Sequence, residues 1–83
     1  MSVLIMFRSL TFAQRSARVL ERSGIMATVT KAPIKTTENG CTYCIRLNER
    51  YLPEAMDILE QNGIPRGRVF RMDGKENYRE ILL

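Results

Sequence analysis

The chain has 83 residues, of which 45% are hydrophobic and 27% are charged. This length provides one hydrophobic core and excludes a second, and the composition is that of a globular protein rather than a disordered chain. The formal charge of +4 comes from 13 basic and 9 acidic residues that are interspersed along the chain, which argues against a nucleic-acid partner. We therefore expect a single domain over residues 1–83.

The apolar run at the N-terminus, residues 1–10, lacks a preceding basic segment and a following cleavage site with small residues, so it does not resemble a secretory signal. It is also too short to span a bilayer, which takes about 20 apolar residues. We expect a cytoplasmic protein without a membrane partner, in a compartment that keeps cysteines reduced.

The first half of the chain predicts a strand, a helix and a second strand. Residues 3–8 are apolar and rich in β-forming residues. Thr11 and Gln14 have the spacing of a capping box, and Gly24 is typical of a helix end, so we expect a helix over residues 12–23. The β-branched residues within 25–30 predict the second strand.

The second half predicts the same kinds of element. Residues 43–47 alternate between core-type and polar side chains, as in a half-buried strand. Pro53 suits the first turn of a second helix, which Gly63 ends. Residues 68–72 predict a fourth strand, and residues 75–83 predict either a terminal helix or an edge strand.

The two helices end in similar sequences, since VLERSGI at 19–25 matches ILEQNGI at 58–64 with an offset of 39 residues. This match indicates either a duplicated βαβ unit or a chance similarity between two helices that end in Gly-Ile. In both cases the order βαββαβ predicts an α+β fold of the ferredoxin-like type. Such a fold has a four-stranded antiparallel sheet with two helices on one face and an open face opposite.

The residue types limit the chemistry that the chain can perform. The absence of histidine excludes His-based acid–base catalysis and most zinc hydrolase sites. The 5 glycines match no phosphate-binding loop, and two cysteines could complete a zinc site only between two chains. We predict no cofactor and no metal, and we favour a carrier or binding protein over an enzyme.

Cys41 and Cys44 form the one reactive pattern in the chain. A Cys-x-x-Cys pair can cycle between dithiol and disulfide, bind a soft metal, or carry sulfur or selenium on one thiol, and the spacing does not choose among these. Cys41 follows a turn, where Arg46 or a neighbouring amide such as that of Gly40 could stabilise its thiolate. Cys44 enters the predicted strand, so it is either a packing residue or a resolving thiol.

The chain resembles the selenium/sulfur carrier protein-like family. The matching stretches are LIMFRS at 4–9, VLERSGI at 19–25, KAPIKTTENGC at 31–41, CIRL at 44–47 and RVFRM at 68–72. In this resemblance Cys41 matches the family cysteine, whereas Thr42 replaces a usual glycine and Cys44 replaces a small apolar residue. The resemblance implies a carrier whose Cys41 thiol accepts sulfur or selenium from a donor protein and passes it to an acceptor protein.

Two alternatives stay open. A ferredoxin-like module with structural cysteines could bind RNA or protein through strand residues Tyr43, Arg46, Phe70 and Arg71. The chain could also be a structural domain with inert thiols that forms a homodimer through its sheet edges.

Overall fold

The computed structural model describes residues 1–33, 42–74 and 77–83. The described strands are β1 (Ser2–Phe7), β2 (Thr28–Lys31), β3 (Tyr43–Asn48), β4 (Val69–Met72) and β5 (Tyr78–Ile81). The described helices are α1 (Leu10–Arg22) and α2 (Leu52–Gln61), and the short 3-10 helix Glu49–Tyr51 leads into α2. Within these residues, no helix has the length and apolar character needed to cross a membrane.

The five strands form one antiparallel sheet in the order β2-β3-β1-β4-β5. The predicted α+β class is therefore confirmed. The predicted four-stranded ferredoxin-like sheet was incomplete, because Tyr78–Ile81 pairs with β4 as a fifth strand. Of the two structures predicted for residues 75–83, the edge strand is the one observed.

Both helices pack against the same sheet face. Strand β1 lies at the centre of the sheet, and its alternate residues Val3, Ile5 and Phe7 are at most 1% exposed beneath the helices. The buried residues of the helices join this main cluster; they are Ala13, Leu20, Leu52, Ala55 and Leu59. Burial of this apolar surface is the main stabilising contribution to the fold.

The opposite sheet face carries a second, smaller cluster, which consists of Leu4, Met6, Cys44 and Phe70. These four side chains are between 0% and 7% exposed. We expected this face to be open, and that expectation was wrong for its centre. Because the β1 residues alternate between the two clusters, β1 is apolar over nearly its whole length, as expected for a central strand buried on both faces.

Helix α1 begins two residues before the position that the sequence predicted. Ser9 is the N-cap, and its hydroxyl oxygen accepts a hydrogen bond from the backbone N–H of Phe12 at 3.2 Å. Thr11 is already inside the helix. Both Ser and Thr can cap a helix. Because β1 already ends at Phe7, the helix begins at the earlier candidate, Ser9.

The two helices end in the same motif, which accounts for their matching sequences. Gly24 and Gly63 adopt φ angles of +82° and +64°, the left-handed region that glycine tolerates best. The following residue then donates its backbone N–H to the helix, from Ile25 to Leu20 at 2.9 Å and from Ile64 to Leu59 at 3.0 Å. Because Ile25 belongs to this motif, β2 begins at Thr28 rather than at residue 25.

Ser16 is a polar side chain on the buried face of α1. It is 0% exposed, and its hydroxyl has no hydrogen-bond partner among the described residues. A buried hydroxyl without a partner costs about 1–3 kcal/mol, and alanine also has a higher helix propensity. We predict that Ser16→Ala raises the free energy of unfolding by about 1 kcal/mol in urea denaturation.

Ser23→Ala is the matched control, since Ser23 is exposed and its hydroxyl donates to the Val19 carbonyl at 3.4 Å. This variant should change the free energy of unfolding by less than about 0.5 kcal/mol. A loss of stability in Ser16→Ala would mean that the Ser16 hydroxyl makes a stabilising interaction in solution.

Candidate functional site

The candidate site lies at the sheet end where the chain leaves β2 and returns in β3. Lys31 pairs with Tyr43, and the Ala32 backbone N–H donates to the Thr42 carbonyl at 2.9 Å. Two predicted site residues, Gly40 and Cys41, lie outside the described residues. Cys41 directly precedes Thr42, which is exposed, so the structure describes the start of β3 but not the candidate thiol.

Cys44 is the other predicted thiol, and it lies inside β3 with 0% exposure. Its neighbours across the strands are Met6 on β1 and Thr30 on β2, and it packs in the smaller cluster. The Cys44 thiol donates a weak hydrogen bond to the Lys31 carbonyl at an S–O distance of 4.0 Å. These contacts are those of a small apolar packing residue.

Burial also controls the acid–base chemistry of Cys44. It raises the pKa of the thiol to about 11, and the positive charge of Arg46 offsets only part of this effect. At neutral pH Cys44 is therefore a thiol rather than the thiolate that acts as a nucleophile. Within the described ranges, no group of three or more His, Cys, Asp or Glu side chains is arranged to hold a metal ion.

Arg46 is the predicted site residue whose position suits an electrostatic role. It lies two residues after Cys44 on the same strand, so both side chains are on the face opposite the helices. Arg46 is exposed and forms no ion pair with any residue that the structure describes. Its charge is therefore available to an anion on this face of the sheet, near Cys44.

Sequence reasoning missed two further cations at this end of the sheet. Arg8 follows the last residue of β1, and Lys31 ends β2; Phe7 and Lys31 both pair with Tyr43. Arg8 and Lys31 are both exposed. Positive charge near a cysteine favours its thiolate form. Only the strand register reveals this grouping, because the two residues are far apart in the sequence.

The fifth strand adds an ion pair to the face that carries Cys44. Glu80 of β5 lies opposite Phe70. Arg68 contacts Glu80 at two points, with Nε–Oε2 and Nη2–Oε1 distances of 2.9 and 2.5 Å. The Arg68 guanidinium also lies 5.4 Å from the centre of the Phe70 ring. The hydrogen bond from Arg68 holds the pKa of Glu80 below its ordinary value. This pair borders the smaller cluster.

The structure does not bring the four predicted RNA-binding residues together on one face. Arg46 and Phe70 are on the face opposite the helices, and Phe70 is 7% exposed. Tyr43 and Arg71 are on the helix side, where Arg71 contacts Glu49 at 2.9 and 2.6 Å. The predicted stacking surface for RNA bases is therefore not formed by these residues.

A comparison with protein families finds a match over most of the chain. Residues 2–71 match the family described as "Putative Se/S carrier protein-like". The chain belongs to this family. The Se/S carrier match spans Gly40, Cys41, Cys44 and Arg46, whereas β5 lies beyond its last residue. The curated proteins and the solved structures include no significant match to the chain.

Proposed function

We propose that this protein carries sulfur or selenium on the thiol of Cys41, which accepts the atom from a donor protein and passes it to an acceptor protein. The family to which the chain belongs supports a carrier, and its matched range includes Cys41. The protein accepts and releases its cargo and is not itself a catalyst. Such a carrier requires a free thiol, which the reducing cytoplasm maintains.

One observation distinguishes the two cysteines and carries the assignment to Cys41. The sequence contains only 2 cysteines. Cys44 is 0% exposed, and burial raises its pKa to about 11. A transferable atom needs a thiolate that a donor protein can reach, and Cys44 meets neither condition in the folded state. Cys41 is therefore the better candidate for the carrier thiol.

The transfer step requires no outside oxidant or reductant. The Cys41 thiolate attacks the terminal sulfur of a donor persulfide and forms a new S–S bond. The S–S bond of the donor breaks, and the donor thiolate leaves with the electron pair of that bond. A nucleophile of the acceptor then attacks the same terminal sulfur and releases Cys41 as a thiolate. Selenium transfers through the same exchange.

The role of Cys44 as a resolving thiol stays a prediction. Attack of the Cys44 thiolate on the Cys41 sulfur would form a disulfide and release hydrogen sulfide, and a dithiol reductant would have to reset the pair. The burial and raised pKa of Cys44 make this attack slow. We therefore favour direct transfer from Cys41 to the acceptor, with Cys44 as a packing residue.

The cations at this sheet end support the proposed chemistry. Arg8 and Lys31 are exposed beside the start of β3, and Arg46 is exposed farther along the strand. Their charges favour a nearby thiolate over a thiol, and they also favour the anionic persulfide that forms on it.

The proposal predicts which single-cysteine variant accepts an atom. After incubation with glutathione persulfide and removal of the reagent, mass spectrometry should find one added sulfur atom on the wild type and on Cys44→Ser. Cys41→Ser should carry no adduct, because its remaining thiol is buried and protonated. Peptide mapping should place the added sulfur on Cys41.

The two variants are matched, since each removes one sulfur atom and leaves the other thiol in place. Circular dichroism should verify that both are folded. Equal adduct formation on Cys41→Ser and Cys44→Ser would contradict the assignment to Cys41. A folded wild-type protein that forms no adduct would contradict the carrier function.

A further inference from the structure

The two helices present charges of opposite sign on their outer surfaces. The α1 stripe consists of Arg15, Arg18 and Arg22, and the α2 stripe consists of Glu54, Asp57 and Glu60. All six side chains are exposed, and none forms an ion pair with a residue in the described ranges.

Helical spacing explains why both stripes face away from the sheet. The buried residues of α1 are Ala13, Ser16 and Leu20, and each residue of the α1 stripe lies two positions after one of them. Two positions correspond to about 200° around the helix, which is the opposite side. In α2 the same spacing places Glu54 and Asp57 opposite the buried face, with Glu60 beside them.

The stability of each separate helix does not explain these charges. Acidic residues are favourable in a first turn and basic residues in a last turn, because of the helix dipole. Helix α1 has no acidic residue in its first turn, and α2 has no basic residue in its last turn. Glu60 occupies the last turn of α2, where a negative charge is unfavourable. Only Arg22 and Glu54 fit the dipole of their own helix.

The internal repeat places residues of the two stripes at equivalent positions of the two helices. The offset of 39 residues that aligns the helix ends also brings Arg15 onto Glu54 and Arg18 onto Asp57. Equivalent positions of two similar helices thus carry opposite charges. Because the two stripes occupy equivalent positions but carry charges of opposite sign, each stripe is complementary to the other helix of a second copy.

We propose that the outer helix surface binds a second copy of this chain, with the α1 stripe of each copy against the α2 stripe of the other. A two-fold axis parallel to the helices produces this contact twice, as in an isologous dimer. The strand pairings make α1 and α2 antiparallel, so each contact is also antiparallel. Arg15 then meets Glu60 of the second copy, and Arg22 meets its Glu54.

The lengths of the stripes agree with this pairing. Arg15 to Arg22 spans about 10.5 Å along a helix, and Glu54 to Glu60 spans about 9 Å. The half-buried Val19 and Ile58 flank the stripes and add apolar contact. Individual exposed ion pairs contribute little, typically less than about 1 kcal/mol, but the two-fold axis doubles their number. The dimer should therefore be weak and sensitive to salt.

This dimer differs from the one that the sequence suggested, because it uses the helices rather than the sheet edges. It leaves exposed both Arg46, on the other sheet face, and Thr42 at the start of β3. A donor protein can therefore reach that end of the sheet in both copies. The dimer does not depend on the proposed carrier function.

Sedimentation velocity with charge-reversed variants tests the proposal. One variant reverses the α1 stripe (R15E, R18E, R22E), and the other reverses the α2 stripe (E54K, D57K, E60K). In about 0.05 M salt, the wild type should associate to twice its mass of 9.6 kDa, and each variant alone should stay monomeric. An equimolar mixture of the two variants should restore the dimer, because their contacts are again complementary.

The control variant reverses three exposed arginines outside the two helices (R8E, R46E, R79E), which lowers the net charge by as much as reversing the α1 stripe does. It should dimerise like the wild type, and circular dichroism should show that all variants are folded. Raising the salt to about 0.5 M should weaken the wild-type dimer at least about tenfold. Two results would overturn the proposal in favour of a different charged partner. One is a wild-type protein that is monomeric at low salt. The other is a control variant that loses the dimer to the same extent as the two stripe variants.

Discussion

Alkylation of Cys44 is expected to be at least about a hundred times slower than alkylation of Cys41 at pH 8. With a pKa of about 11, Cys44 is a thiolate in only about 0.1% of molecules at this pH. An ordinary cysteine, with a pKa of 9.0, is a thiolate in about a tenth of molecules. The complete burial of Cys44 lowers its rate further, since iodoacetamide must reach the sulfur.

Single-thiol variants allow each rate to be measured separately. Cys44→Ser reports the rate of Cys41, and Cys41→Ser reports the rate of Cys44. The mass of the intact protein should be followed with time in iodoacetamide, with free cysteine as the reference. Adding urea should raise the Cys44 rate to that of free cysteine, because unfolding exposes the thiol. Rapid alkylation of folded Cys41→Ser would remove the main argument for assigning the carrier function to Cys41.

The stability of the protein is expected to fall at alkaline pH because of Cys44. Burial raises the pKa of this thiol from its ordinary value of 9.0 to about 11 in the folded state. Between these pH values the unfolded chain loses the proton and the folded protein keeps it. The stabilising contribution is therefore fully present below pH 9 and is lost as the pH rises through 11. The complete loss is about 3 kcal/mol, at about 1.4 kcal/mol for each pKa unit, and about 2 kcal/mol of it has occurred by pH 11.

This prediction can be isolated from the other groups that titrate at high pH. The free energy of unfolding should be measured in urea from pH 8 to pH 11 for Cys41→Ser and for the same variant with Cys44→Val. Valine fills a similar volume and does not ionise. Between pH 8 and pH 11, the free energy of unfolding of Cys41→Ser should fall by about 2 kcal/mol more than that of the valine variant. Parallel curves would show that Cys44 is accessible to water in the folded protein.

Local sequence patterns predicted most of the helices and strands because their causes are local. Alternation located β3, and glycine after each helix marked both helix ends. One error came from competition between similar signals. Ser9 and Thr11 can both cap a helix, and the end of β1 decided between them. Strand β5 could be read only as one of two alternatives, because its pairing with β4 depends on distant residues.

The candidate site was predictable only in part, for a similar reason. The sequence left Cys44 as either a packing residue or a resolving thiol, and the structure buries this residue in the smaller cluster. The grouping of Arg8 with Lys31 depends on strand register, and so does the pairing of Arg68 with Glu80. Register is set by the hydrophobic pattern of several strands together, which a pass along one segment does not reveal.

The fifth strand extends the sheet beyond the region that matches the family, which ends at residue 71. An expression fragment cut at that residue would leave the backbone N–H and C=O groups of β4 unpaired along one side. It would also remove Glu80, which forms an ion pair with Arg68. Unpaired strand edges promote aggregation, so family boundaries are a poor guide to where this protein can be shortened.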